Sequence, residues 1–182
     1  MSLIFIHVPK CGGFNTGKKL HENGVMYDGH TTVAEYIQQG FGTNKMFALV
    51  RHPYSRLVSA YFYLLNGGIG NKGDVRDGEI VSKYKSFKEF VFNIIDDDLI
   101  SKLRHIKPIE YFLCYDNTPI KNIFKLEQID EFRSFLLTNN ISIDLVKNNE
   151  SAHDAVESYL DDNIRSEIRK IYNNDFKLFG YE

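Results

Sequence analysis

Leu3-Ile4-Phe5-Ile6-His7-Val8-Pro9-Lys10-Cys11-Gly12-Gly13 is a short apolar, β-branched run that ends in a proline, a lysine and two adjacent glycines. Leu3–Val8 reads as a strand buried on both faces, the habit of a parallel sheet. Asn15–Glu22 follows with Leu20 facing inward, so the pattern predicts strand, tight turn, helix. A turn of this kind can hold an anion. Two glycines let the backbone bend close to a ligand. The first N–H groups of the helix point at it, and the helix dipole adds to the attraction. Lys10 sets a full positive charge at the mouth. The same residues would also make an ordinary glycine-containing turn with a solvated lysine, so this segment alone leaves both readings open.

Further along the chain, Met46–Val50 (MFALV) is a second apolar run, stopped by Arg51-His52-Pro53. Pro53 suits the first turn of a helix. Leu57, Tyr61, Leu64 and Leu65 then recur at helical spacing, predicting a helix over Tyr54–Leu65. Asn66–Gly78 holds five glycines and little apolar content, and is expected to be a flexible loop, a lid or an acceptor-binding insertion. Ser86-Phe87-Lys88-Glu89 fits a capping box for a helix reaching about Ile95. Asn122–Leu126 is a third strand. Ile129, Phe132 and Leu136 mark one helix, and Leu160, Ile164, Ile168 and Ile171 the last. Strands alternating with helices predict an α/β domain with a mainly parallel sheet.

The 182 residues are 43% hydrophobic and 25% charged, which excludes a disordered or fibrous chain and suits one domain over 1–182. No apolar stretch approaches the roughly 20 residues that a membrane span needs, and no signal peptide opens the chain. A net charge of −2 argues against general attraction to nucleic acid. Two cysteines, Cys11 and Cys114, exclude a disulfide scaffold and point to a reduced, cytoplasmic setting.

A second anion site is expected after the second strand. Arg51 ends it, at the sheet edge where α/β proteins bind ligands. Ser59 lies on the following helix, off the Leu57/Tyr61/Leu64 stripe. An arginine fork with a hydroxyl suits a terminal phosphate. A competing pattern overlaps the first turn. Gly12 to Lys19 nearly matches G-x-x-x-x-G-K-[ST], the loop of Mg-dependent kinases and triphosphatases, with Lys18 as its lysine. Lys19 stands where the magnesium-binding hydroxyl belongs.

Phe5–Gly13 together with Phe47-Ala48-Leu49-Val50-Arg51-His52-Pro53-Tyr54-Ser55-Arg56-Leu57-Val58-Ser59-Ala60-Tyr61 resembles the sulfotransferase superfamily, most closely its carbohydrate (heparan sulfate 2-O-like) and bacterial branch. The resemblance implies a P-loop-like three-layer fold. It also implies a co-substrate, 3′-phosphoadenosine-5′-phosphosulfate (PAPS), with the product 3′-phosphoadenosine-5′-phosphate (PAP), and no metal. Lys10 would contact the phosphosulfate, and Cys11, Gly12, Gly13, Phe14 and Asn15 would cradle the 5′-phosphate. Arg51 and Ser59 would hold the 3′-phosphate. Phe14 and Asn15 depart from the family's usual Thr or Ser, and Asn15 or Thr16 would have to compensate. Phe124-Lys125-Leu126-Glu127, Asn149–His153 and Ile168–Tyr181 carry weaker likeness.

Removing the acceptor's proton calls for a base, and histidine titrates in the right range. Of the six histidines, His30 in Asp28-Gly29-His30-Thr31-Thr32 is the choice, since it resembles the Gly-His segment that supplies the base in relatives of the 2-O-sulfotransferases. His7 is expected to be structural and His52 to shape its turn; His105-Ile106-Lys107-Pro108-Ile109 resembles an acceptor-side His-x-x-Pro-Gln segment of relatives except for Ile109 in place of Gln, which makes His105 a further candidate for acceptor contact. Asp96-Asp97-Asp98 reads as a solvated cluster, and no Cys/His spacing fits zinc. The expected acceptor is a carbohydrate or small-metabolite hydroxyl. A non-catalytic PAP(S)-binding module would share the same fold.

Overall fold

The computed structural model describes residues 2–145 and 155–182. The regular elements are β1 (Ile4–Ile6), α1 (Gly13–Glu22), α2 (Val33–Gln38), β2 (Met46–Val50), α3 (Pro53–Leu65), α4 (Lys72–Val81), α5 (Phe87–Phe92), α6 (Leu99–Lys102), α7 (Ile109–Leu113), β3 (Cys114–Tyr115), β4 (Thr118–Pro119), β5 (Asn122–Lys125), α8 (Ile129–Thr138), α9 (Asp162–Ile171) and α10 (Asn173–Leu178). Residues 2–52 and 109–145 make one compact unit, and 53–108 and 155–182 a second.

The first unit is built on a parallel sheet of order β1-β2-β5, with Ile6 opposite Ala48 and Val50 opposite Lys125. β1 and β2 are buried at every position, which is why both read as unbroken apolar runs. Phe5, Phe47 and Leu49 pack with Leu20 of α1 and with Phe132 and Leu136 of α8. The Phe5–Phe47 rings lie 5.4 Å apart and Phe47–Phe135 5.2 Å, at the tilts that aromatic pairs prefer. β1 is shorter than its apolar run. After Ile6 the chain turns, with Cys11 N–H donating to the Val8 carbonyl at 3.4 Å. β3 and β4 form a small antiparallel hairpin. Asp116 and Asn117 at its tip both take positive φ, 49° and 58°, as a two-residue turn matched to strand twist requires.

The second unit is helical, and its core centres on α3. Leu57, Val58, Tyr61 and Leu64 pack with Phe87, Phe90 and Val91 of α5 and with Ile164 and Ile168 of α9. α3 is buried almost all round, so Ser59 is only 3% exposed and does not sit on a polar face. That corrects the periodicity reading of this helix.

The glycine-rich stretch after α3 is not a loop throughout. Asn71 caps α4, its side chain accepting from the Asp74 N–H at 2.9 Å. The buried Asp74 carboxylate then takes hydrogen bonds from the Tyr63 hydroxyl (2.6 Å), the Asn71 amide (2.9 Å) and the Ile69 N–H (3.2 Å). Gly78 is a packing requirement, since a Cβ there would lie 2.5 Å from the Leu64 carbonyl oxygen. Low apolar content hid a helix held by one buried carboxylate. Downstream, Ser86 caps α5 by accepting from Glu89 N–H at 3.2 Å, and that helix ends at Phe92 rather than at Ile95.

Candidate active site

The turn after β1 takes the geometry expected of an anion loop. Lys10 and Gly12 both adopt left-handed backbone, φ 64° and 74°. Backbone N–H groups in such alternating turns line a concavity that attracts anions. Gly12 is the N-cap of α1 and offers no side-chain cap, so the first N–H groups of a ten-residue helix remain for a ligand. The Thr16 hydroxyl donates to the Gly12 carbonyl at 2.9 Å and so stiffens the loop. Phe14 points away from this work. It is 38% exposed and lies under the Lys18 ammonium, 4.4 Å from the ring centroid.

Parallel pairing brings the ends of β1 and β2 to one sheet edge, so Arg51 arrives beside the loop. Its Nη1 lies 3.5 Å from the Lys10 carbonyl oxygen. The next peptide is tied down as well, because His52 N–H donates to Glu127 Oε1 at 2.8 Å. Glu127 follows β5, and its task could be glimpsed in the sequence only as a strand ending in Glu. Ser59 belongs to the second unit.

His30 enters from the segment before α2. Its Nδ1 donates to the His7 carbonyl at 3.0 Å. A carbonyl only accepts, so Nδ1 carries the hydrogen, and in the neutral ring Nε2 is the proton acceptor. The His30 ring lies 4.3 Å from that of His7 and 6.4 Å from Phe112. Its place is fixed from behind by a capping box: Thr32 Oγ1 accepts from Glu35 N–H at 3.2 Å, and Thr32 N–H donates to Glu35 Oε2 at 2.6 Å. Thr32→Ala is expected to lose about 1 kcal/mol of stability, read as a lower midpoint in urea unfolding.

The chain matches the Sulfotransferase family over residues 1–182. It belongs to the sulfotransferase family. No curated protein and no solved structure matches it. Sulfuryl transfer is therefore the chemistry of this enzyme, and the α/β architecture agrees with that fold.

Within the sulfotransferase, the residues of the kinase-like pattern are otherwise employed. Lys18 stands in the middle of α1, exposed on its outer face, rather than at the loop mouth. Lys19 Nζ reaches the Asp144 carbonyl at 2.5 Å. Gly17 serves packing, because a Cβ there would lie 2.6 Å from Tyr27 Cε2. Among the described residues no group of three His, Cys, Asp or Glu side chains is placed to hold a metal, and no helix is long and apolar enough to cross a membrane. Asp96, Asp97 and Asp98 are exposed in a turn. His21 is exposed on α1. His105 stands in the second unit, its ring 4.9 Å from Tyr63 and its Nε2 3.9 Å from Asp74 Oδ1. Asn149–His153 lie outside the described residues.

An open groove of about 460 Å³ is lined by Leu3, Asn23, Lys45 and Asn139. Leu3 and Lys45 precede β1 and β2, so this groove sits at the opposite sheet edge from the loop. Ligands of such sheets bind beyond the carboxyl ends of the strands. The loop edge, not this groove, is the candidate active site.

Proposed function

We propose that the enzyme moves the sulfuryl group of PAPS to an acceptor hydroxyl of a carbohydrate or small metabolite. The observation that carries this reading is the meeting of Arg51 with the Lys10 turn at one sheet edge, 3.5 Å apart. In the proposed reaction, the acceptor oxygen bonds to sulfur as the bond from sulfur to the 5′-phosphate oxygen breaks. The acceptor proton passes to His30 Nε2, and PAP leaves with the electron pair. Lys10 and the N–H groups of Gly12, Gly13, Phe14 and Asn15 offset the growing negative charge, while Cys11 shapes the turn through the bond from its N–H to the Val8 carbonyl. For Phe14 the contribution is its backbone, since its side chain is turned outward. By resemblance to the family, Arg51 is assigned to the 3′-phosphate. Cys11 and Cys114 are thiols, which suits the cytoplasmic setting that belongs to the same proposal.

Thermal stabilisation tests the donor half. A ligand at about 100 times its Kd stabilises by about 2.7 kcal/mol. PAP in EDTA is expected to raise the melting temperature, Mg-ATP to do little, and Lys18→Ala to respond to PAP like the unaltered protein. A shift with Mg-ATP alone, abolished by Lys18→Ala, would replace this reading with the kinase one. PAP binding without turnover of any acceptor would favour a non-catalytic module.

A further inference from the structure

We propose that His7 is a positioning residue that links the anion-binding start of α1 to the base. The inference rests on the reading of His30 as that base. His7 directly follows β1 and is 5% exposed. Its carbonyl takes the His30 Nδ1 hydrogen at 3.0 Å and so sets which nitrogen can accept a proton. Its ring backs the His30 ring at 4.3 Å with a 37° tilt, so a displaced His7 ring leaves the His30 ring without its support.

The same ring rests on the anion loop. A Cβ at position 13 would lie 2.2 Å from His7 Cδ2 and 2.7 Å from Nε2, so only glycine at the first turn of α1 admits the imidazole. The rotation of that imidazole is set by Tyr27, whose hydroxyl lies 3.3 Å from His7 Nδ1. Burial, and secondarily Asp28, raise the Tyr27 phenol above its ordinary value, so the hydroxyl keeps its proton. Tyr27 sits in turn on Gly17. Gly13 and Gly17 are four apart on α1, one turn of one face. They form two adjacent seats, one for His7 and one for its clamp. The helix start that would hold the donor anion and the nitrogen that would take the proton are thereby built around one side chain. Shifts of about 1 Å in such a constellation can cost up to about 10²-fold in rate.

The test uses the full chain labelled with 15N-histidine and reads the His30 ring nitrogens by long-range proton–nitrogen correlation. In the unaltered protein His30 is expected as the Nδ1–H tautomer alone. Tyr27→Phe keeps the ring on Gly17 and removes only the hydroxyl. It is expected to give a mixture of His30 tautomers and to slow PAPS hydrolysis by about tenfold, with water as acceptor and PAP release as readout, while KM for PAPS stays unchanged. His7→Asn keeps a polar atom near the Nδ1 position but loses the ring. It is expected to act in the same direction and more strongly. In a His30→Ala background neither change should slow turnover further. PAP stabilisation reports that each variant keeps its donor loop.

An unchanged His30 tautomer in both variants would overturn the link. So would a raised KM at constant kcat, or losses that add fully to that of His30→Ala. His30 as the Nε2–H tautomer in the unaltered protein would remove the base reading itself, a different failure.

Discussion

His30→Ala is expected to lower turnover by about 10²–10⁴-fold, the usual worth of a positioned general base. PAP affinity should be almost unchanged. The hydrogen bond from Nδ1 to the His7 carbonyl orders the neutral ring so that Nε2 is basic, and it does so before any acceptor arrives. The loss therefore falls on kcat, because the histidine acts on the acceptor proton while the donor is held elsewhere. The measurement is a steady-state comparison of kcat and of PAP-induced stabilisation in the variant and the unaltered protein. Full activity in the variant would remove His30 as the base. A matched loss of PAP affinity would make it a donor ligand instead.

Arg56→Leu is expected to destabilise the second unit strongly. Arg56 is 2% exposed. Its Nη2 donates to the Lys107 carbonyl at 2.6 Å and its Nη1 to the His105 carbonyl at 3.4 Å. The guanidinium lies 5.5 Å from the Tyr172 ring, and the Tyr172 hydroxyl donates to the carbonyl between them, that of Ile106, at 2.7 Å. Burial pushes the Tyr172 phenol well above its ordinary value, so it remains a donor. Three consecutive carbonyls thus depend on two buried side chains. Leucine fills much of the volume but leaves two of those acceptors without their donor, each costing about 1–3 kcal/mol. A loss of about 3–5 kcal/mol follows, a fall of roughly 10 °C in melting temperature for a chain of this size. Tyr172→Phe, which removes one hydrogen bond, should cost about 1–2 kcal/mol. If Arg56→Leu melts like the unaltered protein, Arg56 is not structural.

Arg56 also shows where the sequence stopped being informative. It stands five residues after Arg51 within one stretch of likeness; the end of the apolar run singled out Arg51 as a candidate, and nothing in that stretch marked Arg56 for the core. The fold separates them, placing Arg51 beside the Lys10 turn and Arg56 against Tyr172. Gly17 and Lys18 are a similar case. Their spacing matches a triphosphatase loop, but helix α1 begins at Gly13 and carries both past the mouth.

Resemblance to the family supplied His30 as a candidate; local pattern was enough for the parallel strands, the glycine turn with Lys10 at its mouth, and the helix starts near Pro53 and Ser86. These follow from unbroken apolar runs, glycine and proline placement, and residue types that carry charge or protons, all properties of neighbours along the chain. Tertiary structure decided that the glycine-rich segment after α3 holds a helix, that Ser59 is buried, that Phe14 turns outward, and that His7 lies between Gly13 and His30. His7 meets a partner 23 residues away in His30, and Asp74 is held by Tyr63 of the preceding helix. Packing between distant segments leaves no period in the residues that precede it.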